Sequence, residues 1–296
     1  MSLWNDFVGA EIRYVETPTY GRIRIAEAGP KGAPVILFQH GIGGHLEAYC
    51  KNLIALSDEF HCVAFDYVGH ALSNRLDMEY TPPVLAEQVR ELMDAMGIER
   101  AHLSGESLGG WVSGFFAVKY PQRVLKLMLN TGAGIPIVSE KGRADMLDLM
   151  ERSKKAAGVA PSFEMVKHRI EWLIHPSNHA RLVTDEIVNL RLHFYLMPEG
   201  REVTPMVNRM LPRHDEFLVP LEQISVPTML LWTRDNPIHD MDSARAAHAR
   251  IPGSTLYVME ADSAHWPQYE DPEEFNRVAR AFFALGPADH VQGAIS

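Results

Sequence analysis

Cysteine is scarce in this chain of 296 residues: Cys50 and Cys62 are the only two, too few for a disulfide framework and suited to a reducing compartment. Long apolar runs are also missing, and none approaches the length that spans a bilayer. Basic residues are outnumbered, 28 Lys and Arg against 38 Asp and Glu, for a formal net charge of -10. That excess of acid argues against nucleic acid and anionic membrane as partners, and an anionic ligand would need a local cation. The opening Met1-Ser2-Leu3-Trp4-Asn5-Asp6 has neither a basic stretch nor an apolar one, so no export signal is expected and the expected location is the cytoplasm. Internal repeats and low-complexity segments are lacking too. What is present is an apolar fraction of 46%, enough for a real core in one large α/β domain or a domain with an insertion.

The chain is organised around Gly105-Glu106-Ser107-Leu108-Gly109. Ala101-His102-Leu103-Ser104 before it reads as a short buried strand, and Gly110 to Ala117 after it reads as a helix running to Tyr120-Pro121. A serine on so sharp a strand-to-helix turn is thrust clear of the sheet, with glycines around it where side chains would clash. The same turn puts Ser107 at a helix N-terminus, where free N–H groups can hold an oxyanion. Ser107 is therefore read as a nucleophile.

Elsewhere the pattern alternates strand and helix. Glu11 to Ala28 reads as a hairpin, while Pro34 to Phe38 and Cys62 to Phe65 read as strands covered on both faces. A helix is expected from about Leu46 to Leu56. Another opens at Thr81-Pro82, with the threonine hydroxyl as cap, carries Leu85, Val89, Leu92, Met93 and Met96 at helical spacing, and stops at Gly97. Val124 to Leu129 is the next strand. From about Val138 to Leu221 the strand rhythm disappears and amphipathic helical stretches replace it, which reads as an inserted helical cap. Strand and helix resume at Val226 to Trp232, Ser243 to Ile251 and Thr255 to Met259. The last helix starts at Asp271-Pro272, with Glu274 placed to complete a capping box. The expected division is a core of 1–134 and 222–287, a helical cap of 135–221 and a loose tail of 288–296. The expected fold class is α/β, the α/β-hydrolase fold, with a mostly parallel central sheet, helices on both faces and the inserted cap.

A nucleophilic serine needs a base, and His265, in a loop just past the final strand, is the best-placed histidine; the chain order nucleophile, acid, histidine is that of α/β-hydrolases. The loop His40-Gly41-Ile42-Gly43-Gly44 is where such enzymes place one backbone donor of the oxyanion hole, here at Ile42 or Gly41, with Leu108 supplying the other. The third triad member belongs in Thr233-Arg234-Asp235-Asn236-Pro237. Counting from the strand end lands on Asn236, and a shift of one brings in Asp235; the full charge of a carboxylate favours Asp235, with Asn236 as the alternative and Asp240 a distant third. Arg191 shares a helix face with Ile187, Leu190 and Phe194, so its guanidinium interrupts an apolar stripe and calls for an anion. No ligand cluster of metal spacing is visible, and no cofactor is expected.

The sequence resembles the carbon–carbon bond hydrolases that cleave 2-hydroxy-6-oxo-hexa-2,4-dienoates, the meta-cleavage products of aromatic degradation. The resemblance runs over almost the whole chain. It is carried by His40-Gly41 and Gly43-Gly44, by Arg100 to Leu103 leading into the nucleophile turn and Gly110, and by Tyr120-Pro121 with Arg123-Val124. His265-Trp266-Pro267-Gln268-Tyr269-Glu270 followed by Glu274 to Arg277 is especially close. It implies that Arg191 binds the carboxylate and dienolate end of a small anionic dienoate. Members commonly carry asparagine before the nucleophile, where this chain has Glu106, read as scaffold or as a desolvated acid in the pocket; Trp111 and Trp266 flank the catalytic residues and are candidates to line it. The same fold also serves ester and lactone hydrolases, cofactor-free dioxygenases or lyases, and ligand receptors with a vestigial triad. Self-association into a homo-oligomer is left open by the sequence.

Overall fold

The structure is a computed structural model, and it describes residues 2–156, 159–284 and 291–296. Its centre is an eight-stranded sheet in the order β1-β2-β4-β3-β5-β6-β7-β8. The strands are β1 (Glu11–Thr17), β2 (Gly21–Ala28), β3 (Val35–Gln39), β4 (His61–Phe65), β5 (Ala101–Glu106), β6 (Val124–Asn130), β7 (Thr228–Trp232) and β8 (Thr255–Val258). β1 and β2 form the expected hairpin and β2 meets β4 antiparallel; from β4 to β8 every neighbouring pair is parallel.

Period-two alternation sorts the inner strands onto two cores. On β3, Val35 and Leu37 join one apolar cluster while Ile36 and Phe38 join the other; on β4, Val63 and Phe65 separate likewise from Cys62 and Ala64. Helices cover both faces, which is why these strands read as unbroken apolar runs. α2 (Pro82–Ala95), α3 (Leu108–Lys119) and α9 (Met241–Arg250) bury Leu85, Val89, Val112, Phe116 and Ala247 on the first face. α1 (Cys50–Leu53) and α11 (Pro272–Ala284) bury Leu53, Phe275, Val278 and Ala279 on the second. Cys50 and Cys62 are free and buried.

Between β6 and β7 the described residues hold helices and no strand: α4 (Glu140–Ala156), α5 (Phe163–Leu173), α6 (His179–Leu182), α7 (Asp185–Leu196) and α8 (Pro198–Asn208). α10 (Pro267–Glu270) is a single turn ahead of α11. Among the described residues no helix is long and apolar enough to cross a membrane.

Four local expectations need correcting. The segment from Leu46 is a 3-10 turn, Leu46–Tyr49, followed by only one turn of α-helix, and its leading Leu46 N–H is held by the buried Asp66 carboxylate at 2.7 Å. Thr81 precedes α2 in extended geometry but makes no side-chain cap bond. Glu274 does not close a capping box; its carboxylate accepts the N–H groups of Glu260 and Ala261 and the Tyr257 hydroxyl, tying α11 to the loop after β8, while Asp271 caps the helix. The tail expected to be loose lies partly outside the described residues, and its last part is fastened: Val291 is buried and Ile295 exchanges both backbone hydrogen bonds with Leu256 of β8.

Candidate active site

The carboxyl ends of β3, β5, β7 and β8 converge, the usual place for a site in an open parallel sheet. Ser107 sits between β5 and α3 with φ 52° and ψ -113°, a region that a residue with a side chain occupies only when its surroundings force it. Two close approaches do the forcing. A Cβ on Gly105 would lie 2.2 Å from Gly109 O, and one on Gly109 would lie 2.1 Å from Gln39 O, so glycine is the residue each position tolerates. The Ser107 carbonyl accepts Ala133 N–H at 2.9 Å and Trp111 N–H at 3.1 Å, which fastens the turn from both sides. Leu108 is the first residue of α3, where helix N–H groups lack partners within the helix.

His265 is 2% exposed and shares a cavity with Ser107. Its loop is pinned by the buried carboxylate of Glu270, which accepts Ala264 N–H at 2.8 Å and Trp266 N–H at 3.2 Å, on either side of the histidine. The other carboxylate oxygen accepts His175 N–H and the Asn178 amide, and His265 N–H reaches Leu173 O at the end of α5. In the sequence Glu270 stands in the run His265 to Glu270, where only its position five residues past a loop histidine hints at this task.

The ring Nδ1 of His265 faces Asn236 Oδ1 at 3.2 Å. That amide oxygen also accepts Ile238 N–H and His239 N–H, each at 3.0 Å, so the oxygen rather than the nitrogen must point to the ring. An acceptor at Nδ1 keeps the proton there and leaves Nε2 as the basic position. Asp235, the favoured third member, is displaced from this role: its side chain is 62% exposed and lies 3.8 Å from His175 Nε2. Neighbouring residues in the turn point opposite ways, and the backbone bonds to Asn236 select which one faces inward. Asp240 caps α9 through Asp242 N–H and Ser243 N–H.

The oxyanion loop also differs in detail. Gly41 N–H donates to Glu106 Oε2 at 2.6 Å, so it is already engaged, which leaves Ile42 and Leu108 lining the cavity as the candidate donors. His40 holds the loop in shape, accepting Tyr67 N–H at Nε2 and turning Nδ1 to Gly41 O at 2.7 Å. Burial above all, with His70 nearby, holds its pKa well below the ordinary histidine range, so it stays neutral.

Thr184 caps α7 by accepting Ile187 N–H, and Arg191 comes from the helix's buried face, 2% exposed. Its guanidinium lies 4.8 Å from the centre of the Trp266 ring and its Nε has no hydrogen-bond partner. Glu186, an acid on the same helix, does not pair with it and accepts Ser2 Oγ–H and Leu3 N–H. Arg169 of α5 lines the same cavity and was not noticed in the sequence. Burial pushes its pKa down, Tyr195 opposes this, and Arg191 and Arg152 add to it. Among the described residues neither arginine forms an ion pair with a carboxylate, so the cavity offers two cations to an anion. Trp111 lines it too while donating Nε1–H to Phe217 O at 2.5 Å, and Trp266 forms the wall beneath Arg191. Among the described residues no three His, Cys, Asp or Glu side chains stand close enough to hold a metal ion.

The family model for the alpha/beta hydrolase fold matches residues 34–272. A 2-hydroxy-6-oxononadienedioate/2-hydroxy-6-oxononatrienedioate hydrolase of Comamonas testosteroni is 29% identical over 273 residues, covering 90% of this chain and 92% of that protein. Among solved structures, a 2-hydroxy-6-oxo-6-phenylhexa-2,4-dienoate hydrolase from a Rhodococcus strain superposes with a TM-score of 0.79 at 22% identity, covering 93% of this chain and 100% of that one. A carboxylesterase from Bacillus subtilis does so with a TM-score of 0.77 at 21% identity, covering 96% and 98%. At such identities the structural likeness speaks for the fold alone. With its family model spanning most of the sequence, the chain belongs to the alpha/beta hydrolase family.

Proposed function

We propose that this hydrolase cleaves a carbon–carbon bond in a 2-hydroxy-6-oxo-2,4-dienoate, with Ser107, His265 and Asn236 as its triad. The observation that carries the reading is Arg191: a buried guanidinium without a carboxylate partner among the described residues, in one cavity with Ser107 and His265. A buried cation left without a partner is costly, and an anionic substrate would repay it. In this reading Arg191 holds the substrate carboxylate and dienolate end and favours the keto tautomer, which creates an electron sink. His265 Nε2 takes the proton from Ser107 or from water, whose oxygen attacks the distal ketone. The carbonyl electron pair moves to its oxygen, held by the N–H groups of Ile42 and Leu108. When that pair returns, the carbon–carbon bond breaks, its electrons pass into the dienolate, and the proton held by His265 completes 2-hydroxypenta-2,4-dienoate. With water as nucleophile the other product is the carboxylic acid, and with Ser107 it is an acyl-enzyme that a water molecule then hydrolyses to that acid.

A chromogenic dienoate and a panel of nitrophenyl esters, assayed side by side, test the reading. It expects the dienoate absorbance to disappear with a kcat/KM well above that of any ester. Ester turnover with the dienoate untouched would make the protein an esterase.

A further inference from the structure

Asparagine at position 236 orients His265 but brings no charge to it. During proton transfer the imidazole becomes a cation, and in a serine triad a carboxylate behind Nδ1 stabilises it. Here the ring's other surroundings oppose that cation. His239 lies 5.4 Å away with its ring tilted by 47°, and burial, with the neighbouring His265 and His214, holds its pKa well below the ordinary histidine range, so it is neutral and brings no counter-charge. Arg169 and Arg191 line the same cavity with positive charge.

One carboxylate lines that cavity among the described residues: Glu106, the last residue of β5 and the chain neighbour of Ser107. It is 2% exposed. Its Oε2 is anchored by Gly41 N–H at 2.6 Å, an approach open because Gly41 has no Cβ; one built there would lie 2.6 and 2.7 Å from the two carboxylate oxygens. Its Oε1 has no hydrogen bond, yet stands 3.2 Å from His265 Nε2, the ring nitrogen that takes the proton. A buried oxygen left without a donor is a cost that scaffold alone does not explain.

We propose that Glu106 is the charge-balancing and positioning residue of this site, facing the proton-accepting edge of His265 in place of the carboxylate that Asn236 does not supply. The proposal rests on the serine-hydrolase reading above. In the step concerned, the hydroxyl proton of Ser107 passes to Nε2 while the O–H electron pair forms the new bond to the electrophile. Glu106 gains and loses nothing; its charge offsets the imidazolium from 3.2 Å, in a setting from which water is largely excluded. Because it adjoins Ser107 in the chain, the counter-charge is fixed relative to the nucleophile.

The test is a four-protein set: the natural chain, Glu106→Gln, Asn236→Asp and the double variant. The readout is the second-order rate at which a fluorophosphonate modifies Ser107, followed by intact mass, with thermal unfolding measured on each. The probe does not depend on the natural substrate. Glu106→Gln, which keeps an acceptor for Gly41 N–H, is expected to slow labelling about a hundredfold, and the double variant to return to within about tenfold of the natural chain. A rate for Glu106→Gln within about threefold of the natural chain would overturn the proposal, and so would a double variant as slow as Glu106→Gln. Should Glu106→Gln fail to fold, Asn236→Asp alone decides. A gain under about tenfold fits a charge already supplied, whereas a gain of about a hundredfold would mean none was there, which overturns it. A natural chain that is never labelled would bring down the serine-hydrolase reading itself and this proposal with it, whereas labelling that ignores Glu106 brings down this proposal alone.

Discussion

Asn236 Oδ1 lies 3.2 Å from His265 Nδ1 while it caps the turn through Ile238 and His239 N–H. One amide oxygen thus shapes the loop after β7 and selects the histidine tautomer. Asn236→Ala is expected to lower turnover about a hundredfold, because the ring loses its orienting acceptor. Asp235→Ala, at an exposed carboxylate 3.8 Å from His175, is expected to leave turnover within about threefold. Steady-state kinetics of the two variants check this, and the reverse ranking would restore Asp235 to the triad.

Glu270 tests how the histidine loop is held. Its carboxylate serves three backbone N–H groups and the Asn178 side chain, and burial raises its pKa against the pull of those bonds. Glu270→Ala leaves the donors without an acceptor and is expected to cost about 3 kcal/mol or more of stability, read from urea unfolding. A loss below about 1 kcal/mol would mean that the loop is held by its packing.

His102 sets an acid limit on stability. It packs against Phe60 and Phe283, and burial, with Lys126 and Arg100 adding, pushes its pKa from 6.5 down to about 3. The unfolded chain therefore gains a proton near pH 6.5 that the folded chain refuses until about pH 3. Its contribution is fully present above pH 6.5 and is lost progressively as the pH falls toward 3. The melting temperature is expected to fall across that window, and less steeply in His102→Phe. Parallel slopes would assign the acid sensitivity to other groups.

Most of the sheet was legible because a strand covered on both faces leaves a run of apolar residues, as at β3 and β4, and the turn at Ser107 was legible because its glycines are sterically required. The inward face of Thr233 to Pro237 was not. The spacing from the strand end points to Asn236, the preference for a full charge points to Asp235, and what decides between them is a pair of backbone bonds from Ile238 and His239 to Asn236 that the residue types do not show. Glu274 satisfied the spacing of a capping box, yet the donors it meets come from the loop after β8 and are distant in sequence. Arg169 escaped notice for a similar reason: a cation on an amphipathic helix looks solvated until the helix is seen to close over a cavity.

In the proposed reaction Ser107 and Arg191 grip two ends of one substrate, and a crystal structure of Ser107→Ala soaked with a 2-hydroxy-6-oxo-dienoate tests that most directly. The expected result is the substrate carboxylate within hydrogen-bond distance of the Arg191 guanidinium, with the distal ketone at position 107, facing Ile42 and Leu108 N–H. A dienoate bound with its carboxylate away from Arg191, or its ketone out of reach of position 107, would contradict it.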